Sequence, residues 1–366
     1  MPHLRLLMDG FAIRLDAPAG LRVAVKDLID MSGLPTTAGS AAVDPVPAAS
    51  DAACLTGVRA AAVIVGRTVL HELAYGITGV NAWQGTPTNP LDRGRVPGGS
   101  SSGAAVVVAN GDADVAIGTD TGGSVRLPAA CCGIAGLKTT WGRVPIAGVR
   151  PLAPTMDTIG PLARDVAGLI EGMQLLEPGF LPGEPATSIG RLRPAVAPGV
   201  DAALDRALRP FRILDVDVPG WDDANTAGGL LLAAEAFLAN GHLLAGGRVG
   251  EDVAAKLTAG AAASTAALAA AQAVRADWTS SLRDALSRVD VLALPTMRDE
   301  PPLLEDAHRM SELRLTLPIN LAGVPAVSLP LPRRDGLPAS LQLLGSPGSE
   351  DVLLATAAAI ETSLRP

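Results

Sequence analysis

Two glycine- and serine-rich segments bracket a short apolar block, and no other feature restricts the backbone of this chain so tightly. The first reads Pro97-Gly98-Gly99-Ser100-Ser101-Ser102-Gly103 and the second Gly118-Thr119-Asp120-Thr121-Gly122-Gly123-Ser124-Val125-Arg126. Between them residues 103–110 read as an apolar helix ending at Asn110-Gly111, and residues 115–118 as a buried strand. Without Cβ atoms at Gly122 and Gly123, the N–H groups of Thr121, Gly122, Gly123 and Ser124 can converge on one point. Such a cradle suits an oxyanion or a phosphate. Neither segment carries the lysine of a Gly-x-x-x-x-Gly-Lys-Ser/Thr loop. Nor is Ser124 in Gly-x-Ser-x-Gly, because Arg126 stands at the second glycine position. The pattern leaves a structural turn and a catalytic turn both open.

Short apolar runs alternate with helical stretches along the chain, which predicts α/β layering. Residues 21–25 and 61–66 read as strands, the second of the continuous type found in buried parallel sheets. Residues 51–59 read as a helix with Ser50 as N-cap. Loops are expected from Lys138 to Pro161, then a helix over 164–176, a Pro/Gly-containing connector over 177–200 and two or three alanine-rich helices over 221–289. Residues 289–295, 327–331 and 339–344 read as strands, the last two joined by a turn at Arg334-Asp335-Gly336, and 350–364 as a final helix.

With 366 residues, 48% hydrophobic and only 18% charged, the chain has ample material for a large core. No uninterrupted apolar run approaches the ~18 residues of a spanning helix, and residues 1–10 lack a convincing signal core. A soluble, cytoplasmic protein without a membrane partner is expected. A net charge of −8 and 2% aromatic residues argue against nucleic acid as a partner. Cys54, Cys131 and Cys132 are too few for a disulfide framework, and the adjacent pair reads as reduced core packing. The four histidines show no i, i+4 pair, so neither metal nor cofactor is expected.

Lys26 ends an apolar strand in a chain with few lysines. Burial would lower its pKa and make it a base for a serine, while an exposed ion pair is the plainer alternative. Here a resemblance becomes specific. Val25-Lys26-Asp27, the two glycine segments, Gly133-Ile134-Ala135-Gly136-Leu137-Lys138 and Asp157-Thr158-Ile159-Gly160-Pro161-Leu162 resemble the amidase signature family. Asn320-Leu321-Ala322-Gly323-Val324-Pro325 and Leu341-Gln342 resemble its closing segments, so most of the chain is covered, least over 177–290.

The resemblance implies one α/β domain over residues 1–366, a mixed twisted central sheet with helices on both faces. Relative to the family, the N-terminal region (1–20) looks truncated and the segment of about 177–290 shortened. Position by position it implies Ser124 as nucleophile, Ser100 as a bridging serine whose bond from Gly99 is cis, and Lys26 as base. Thr121, Gly122, Gly123 and Ser124 would form the oxyanion hole, with Ser101, Asp120 and Arg126 supporting it. Ala74, Tyr75 and Gly76 match a pocket-lining segment, and Trp83 and Trp141 also permit an apolar or aryl acyl group. The implied activity is hydrolysis of a small-molecule amide without a cofactor, with a homodimer left open. A glutaminase component of an amidotransferase, an allophanate-hydrolase-like urea-derivative amidase and a non-catalytic scaffold are the alternatives.

Overall fold

The computed structural model describes residues 9–16, 18–310, 313–333 and 336–364. Its described strands are β1 (Phe11–Arg14), β2 (Arg22–Lys26), β3 (Val63–Thr68), β4 (Val115–Asp120), β5 (Ala135–Lys138), β6 (Thr158–Ala163), β7 (Ser188–Arg191), β8 (Arg212–Asp215), β9 (Val291–Pro295), β10 (Ala326–Leu331) and β11 (Ala339–Leu344). They form one mixed sheet in the order β1-β3-β2-β4-β6-β5-β10-β11-β9-β7-β8. β2 runs parallel to both β3 and β4, and β7 runs parallel to β8 and β9. The remaining pairs are antiparallel.

Helices cover both faces, and alternation along the strands explains how. The helices are α1 (Thr56–Ala61), α2 (Ser102–Asn110), α3 (Arg126–Cys132), α4 (Val166–Leu176), α5 (Pro198–Leu208), α6 (Trp221–Asn240), α7 (Glu251–Ala261), α8 (Thr265–Leu286), α9 (Leu313–Leu321) and α10 (Glu350–Ser363). Val23 and Val25 of β2, with Val115 and Ile117 of β4, join the core that contains α1, α4, α5 and α10. The intervening Ala24 and Ala116 face the other way, into the core of α2. Small residues there let the apolar helix α2 lie close to the sheet, which brings the serines at its start to the strand ends. Further along, Leu292 and Leu294 of β9 meet α6, α8 and α9.

Several expectations need correction. Residues 51–59 are not one helix capped by Ser50. A 3-10 turn, Ala53–Leu55, leads into α1 without a side-chain cap at either start. The stretch before Pro161 is not all loop, because Gly160 and Pro161 lie within β6, a strand buried along its whole length. A Cβ on Gly160 would collide with the Leu137 carbonyl, so close strand approach requires the glycine that resembled a turn signal. The connector over 177–200 contains β7 and the start of α5, and β8 follows as an exposed edge strand. The 334–336 turn lies largely outside the described residues.

The stretch Trp221–Gly246, α6 with its 3-10 extension, is long and apolar enough by length and composition to cross a membrane, although Asp222, Asp223 and Glu235 interrupt it, so no uninterrupted apolar run spans it. Here its Ala224, Ala227, Leu231 and Leu232 pack into the core shared with α8 and α9.

Candidate active site

β2 ends at Lys26, whose side chain is fully buried. Its Nζ lies 2.8 Å from Ser100 Oγ, 2.8 Å from Thr119 Oγ1 and 3.5 Å from the Thr119 carbonyl. Burial pushes the ammonium down to about 7, against the opposing pull of the Asp120 and Asp157 carboxylates. Near neutral pH a large share of this amine is uncharged.

Ser100 follows a cis peptide bond from Gly99. Its carbonyl accepts from the His71 N–H at 3.0 Å. Ser101 joins the two glycine segments, its N–H donating to the Ser124 carbonyl (3.2 Å) and its hydroxyl to the Thr119 carbonyl (3.3 Å). Ser102 opens α2 with a buried hydroxyl that has no hydrogen-bond partner among the described residues.

Ser124 stands in the loop between β4 and α3, 5% exposed. No hydrogen bond of its hydroxyl is formed among the described residues, to Ser100 or to any other group. The loop is held from beneath by Asp120 and Arg126, an ion pair fully buried on both sides. Asp120 accepts from the N–H groups of Gly123 (2.8 Å) and Val125 (3.1 Å), from Arg126 Nε (3.0 Å) and from Asn320 Nδ2 (2.9 Å). Burial alone would raise this carboxyl, but the Arg126 guanidinium, the Lys138 ammonium and the Asn320 hydrogen bond together outweigh it and hold the group well below the usual carboxylate range. Arg126 also donates to Gln342 Oε1 (2.6 Å) and Asn320 Oδ1 (2.5 Å).

This corrects one sequence expectation. The Gly123 N–H is committed to Asp120, whereas the N–H groups of Thr121, Gly122 and Ser124 make no hydrogen bond among the described residues. The left-handed backbone at Gly123 (φ 131°) turns its N–H toward the carboxylate. Thr121 is steadied from the side by its hydroxyl, which donates to Asp157 at 2.6 Å.

Ser124, Thr121 and Gly122 border a cavity of about 750 Å³. Ala74, Tyr75 and Gly76 form part of its wall, but Trp83 and Trp141 do not line it and are 43% and 49% exposed. Leu73 and Ala74 hold left-handed φ values of 52° and 57°, which non-glycine residues adopt at a cost. The surrounding segment is pinned accordingly. Glu72 accepts from the Ser40 hydroxyl and the Gly250 N–H, His71 meets Asp252, and Lys256 donates to the Tyr75 carbonyl at 3.2 Å. A second cavity, of about 520 Å³, lies beyond β7 and β8 beside Arg193 and Trp221 and contains none of the predicted site residues.

The sequence model of the Amidase family matches residues 17–178 and 247–354, well over half of the chain. The chain belongs to the amidase signature family. As a member it is an amidohydrolase acting on amide C–N bonds. It is 36% identical to a Glutamyl-tRNA(Gln) amidotransferase component from Thermus thermophilus, over 98% of this chain and 88% of that one. Amidase 1 of Oryza sativa subsp. japonica is 32% identical, over 92% of this chain and 88% of the relative. A crystal structure of an amidase superposes with a TM-score of 0.91 at 30% identity, covering 98% of this chain and 92% of that one.

In this amidase the structure brings together groups that sequence reading did not single out. Thr119 is a second partner of the Lys26 amine, and Asn320 and Gln342 complete the Asp120–Arg126 network. The usable signal was polarity out of place. Gln342 sits in a strand buried at every position, and a buried amide requires partners. The cysteines are buried thiols rather than disulfides, and burial pushes that of Cys54 up to about 12.

Proposed function

We propose that this amidase hydrolyses a small-molecule carboxylic amide by acyl transfer, with Ser124 as nucleophile, Ser100 as proton bridge and Lys26 as base. The observation that carries the reading is the fully buried Lys26 amine 2.8 Å from Ser100 Oγ, with its pKa lowered to about 7. An uncharged amine there can take a proton from Ser100, which in turn takes one from Ser124. For that relay the Ser124 hydroxyl must turn toward Ser100 as substrate enters.

Ser124 Oγ then bonds to the amide carbon, and the oxyanion rests on the N–H groups of Thr121, Gly122 and Ser124. Their being unengaged supports that role, and one such donor contributes about 3–4 kcal/mol to transition-state binding in proteases. The relay returns its proton to the leaving nitrogen as the C–N bond breaks. Water next adds to the acyl carbon, giving its proton to the relay, and the C–Oγ bond breaks to release the acid and restore Ser124. All described strands lying in one sheet supports reading the chain as one catalytic domain.

Ser124→Ala is expected to abolish turnover, and Lys26→Ala to lower kcat by about 10²–10⁴-fold, both with unchanged circular dichroism. Amide hydrolysis by purified Ser124→Ala at the wild-type rate would overturn the assignment. Labelling of wild-type Ser124 by a fluorophosphonate would exclude a non-catalytic scaffold. A second reading, the glutaminase component of an amidotransferase, is favoured by the 36% identity to such a component. It requires glutamine to be the preferred amide and partner proteins to co-purify.

A further inference from the structure

We infer that Gly229 of α6 is a specificity-determining residue, kept without a side chain so that the cavity can hold an amide with an apolar aliphatic or aryl acyl group. The inference rests on the catalytic reading above, which places the scissile carbonyl at Ser124.

Two adjacent glycines interrupt the middle of α6, where each destabilises the helix relative to alanine. Packing accounts for the first. A Cβ on Gly228 would come within 3.1 Å of Leu317 Cγ, in the contact between α6 and α9. Packing does not account for the second, because a Cβ on Gly229 would meet nothing within 4 Å. Gly229 instead borders the cavity that contains Ser124. Gly229 is itself exposed, so it stands at the rim of the cavity, where a larger residue would narrow the way in for an acyl group.

The wall around that space defines what fits. Leu152, Leu232, Met310 and Leu317 are buried and apolar. The ionic groups of α7 stay at the mouth, with Asp252 60% and Lys256 43% exposed and paired to each other at 3.2 Å. The deeper polar groups already have partners, His71 in Asp252 and Thr78 and the Thr121 hydroxyl in Asp157, so a charged group carried deeper would lose its water without gaining an ionic partner. At about 750 Å³ the cavity is of the size that encloses a drug-sized ligand, far more than acetamide needs.

The test uses primary amides, whose only organic part is the acyl group. kcat/KM is measured for acetamide, propionamide, hexanamide, benzamide and glutamine with the full chain and with Gly229→Ala, Gly229→Leu and Gly229→Phe, each checked by thermal melting. In the wild type kcat/KM should climb about fourfold per added methylene, as burial of a CH₂ group predicts. Gly229→Ala should raise Tm, and Gly229→Leu and Gly229→Phe should cut the hexanamide-to-acetamide ratio by about tenfold or more. Glutamine as the best substrate, or a ratio unmoved by leucine and phenylalanine, would overturn the inference. Calorimetric binding of hexanamide and acetamide to Ser124→Ala, with and without Gly229→Leu, separates the two levels. A hexanamide preference that Gly229→Leu removes supports the cavity assignment even if turnover is absent, in which case the catalytic reading alone fails. No preference overturns the inference whatever the turnover.

Discussion

A lysine that never reaches solvent has to be judged by the state in which it spends its time. Lys26 has three oxygen partners and no carboxylate in ion-pair contact among the described residues, so desolvation outweighs the pull of Asp120 and Asp157 and its proton becomes easy to lose. The sign follows directly. Below about pH 7 the amine is charged and cannot accept a proton from Ser100, and above it the amine can. kcat/KM should fall about tenfold per pH unit on the acid side of a midpoint near 7, read from initial rates in buffers of matched ionic strength. A profile flat down to about pH 5 would remove Lys26 from the proton path. The candidate residues Lys26, Ser100 and Ser124 were legible because each sits in a short motif with little freedom. The Gly123 N–H was not, since only coordinates reveal that it turns toward Asp120 rather than outward.

Among elements, the loop between β4 and α3 depends on distant partners. Arg126 ties it to Asn320 on α9 and Gln342 on β11, so residues 194 and 216 positions further along steady the turn. Removing one partner of a buried ion pair leaves the other charge stranded, at a cost of about 3–5 kcal/mol. Arg126→Met should lower the urea midpoint by a corresponding amount and reduce kcat more than it changes KM. Gln342→Ala strands only a hydrogen bond and should cost about 1–3 kcal/mol. Equal losses from the two variants would mean that the charge pair is not the main support.

The same scale shows where sequence reading lost the fold. β2, β4, β10 and β11 are apolar runs with clear ends and were found close to their true limits. β7 and β8 have only four residues each, contain glycine or arginine, and lie toward an exposed sheet edge where hydrophobic pattern is weakest. β6 was hidden by Gly160 and Pro161, which read locally as a loop while strand crowding selects them.

Across the whole molecule, one sheet carries both the Lys26 end and the helical layer of α6–α9. Trp278, 2% exposed, stacks edge-on against Trp221 in that layer, and its Nε1 donates to Pro318 of α9 at 2.7 Å. α9 in turn supplies Asn320 to the active-site loop. Urea unfolding followed by tryptophan fluorescence and by loss of activity should therefore give coincident midpoints. An activity loss well ahead of the fluorescence change would mean that the two regions open separately.

The amine and both hydroxyls assigned to chemistry precede residue 130, whereas much of the apolar wall, Gly229, Leu232 and Leu317, follows residue 220. The sequence model of the family falls silent over residues 179–246, a stretch that includes α6. A change confined to α6 would therefore alter what the cavity holds while leaving Lys26, Ser100 and Ser124 in place. Grafting this stretch from a relative should transplant a menu of amides while leaving the rate law of proton transfer inherited intact.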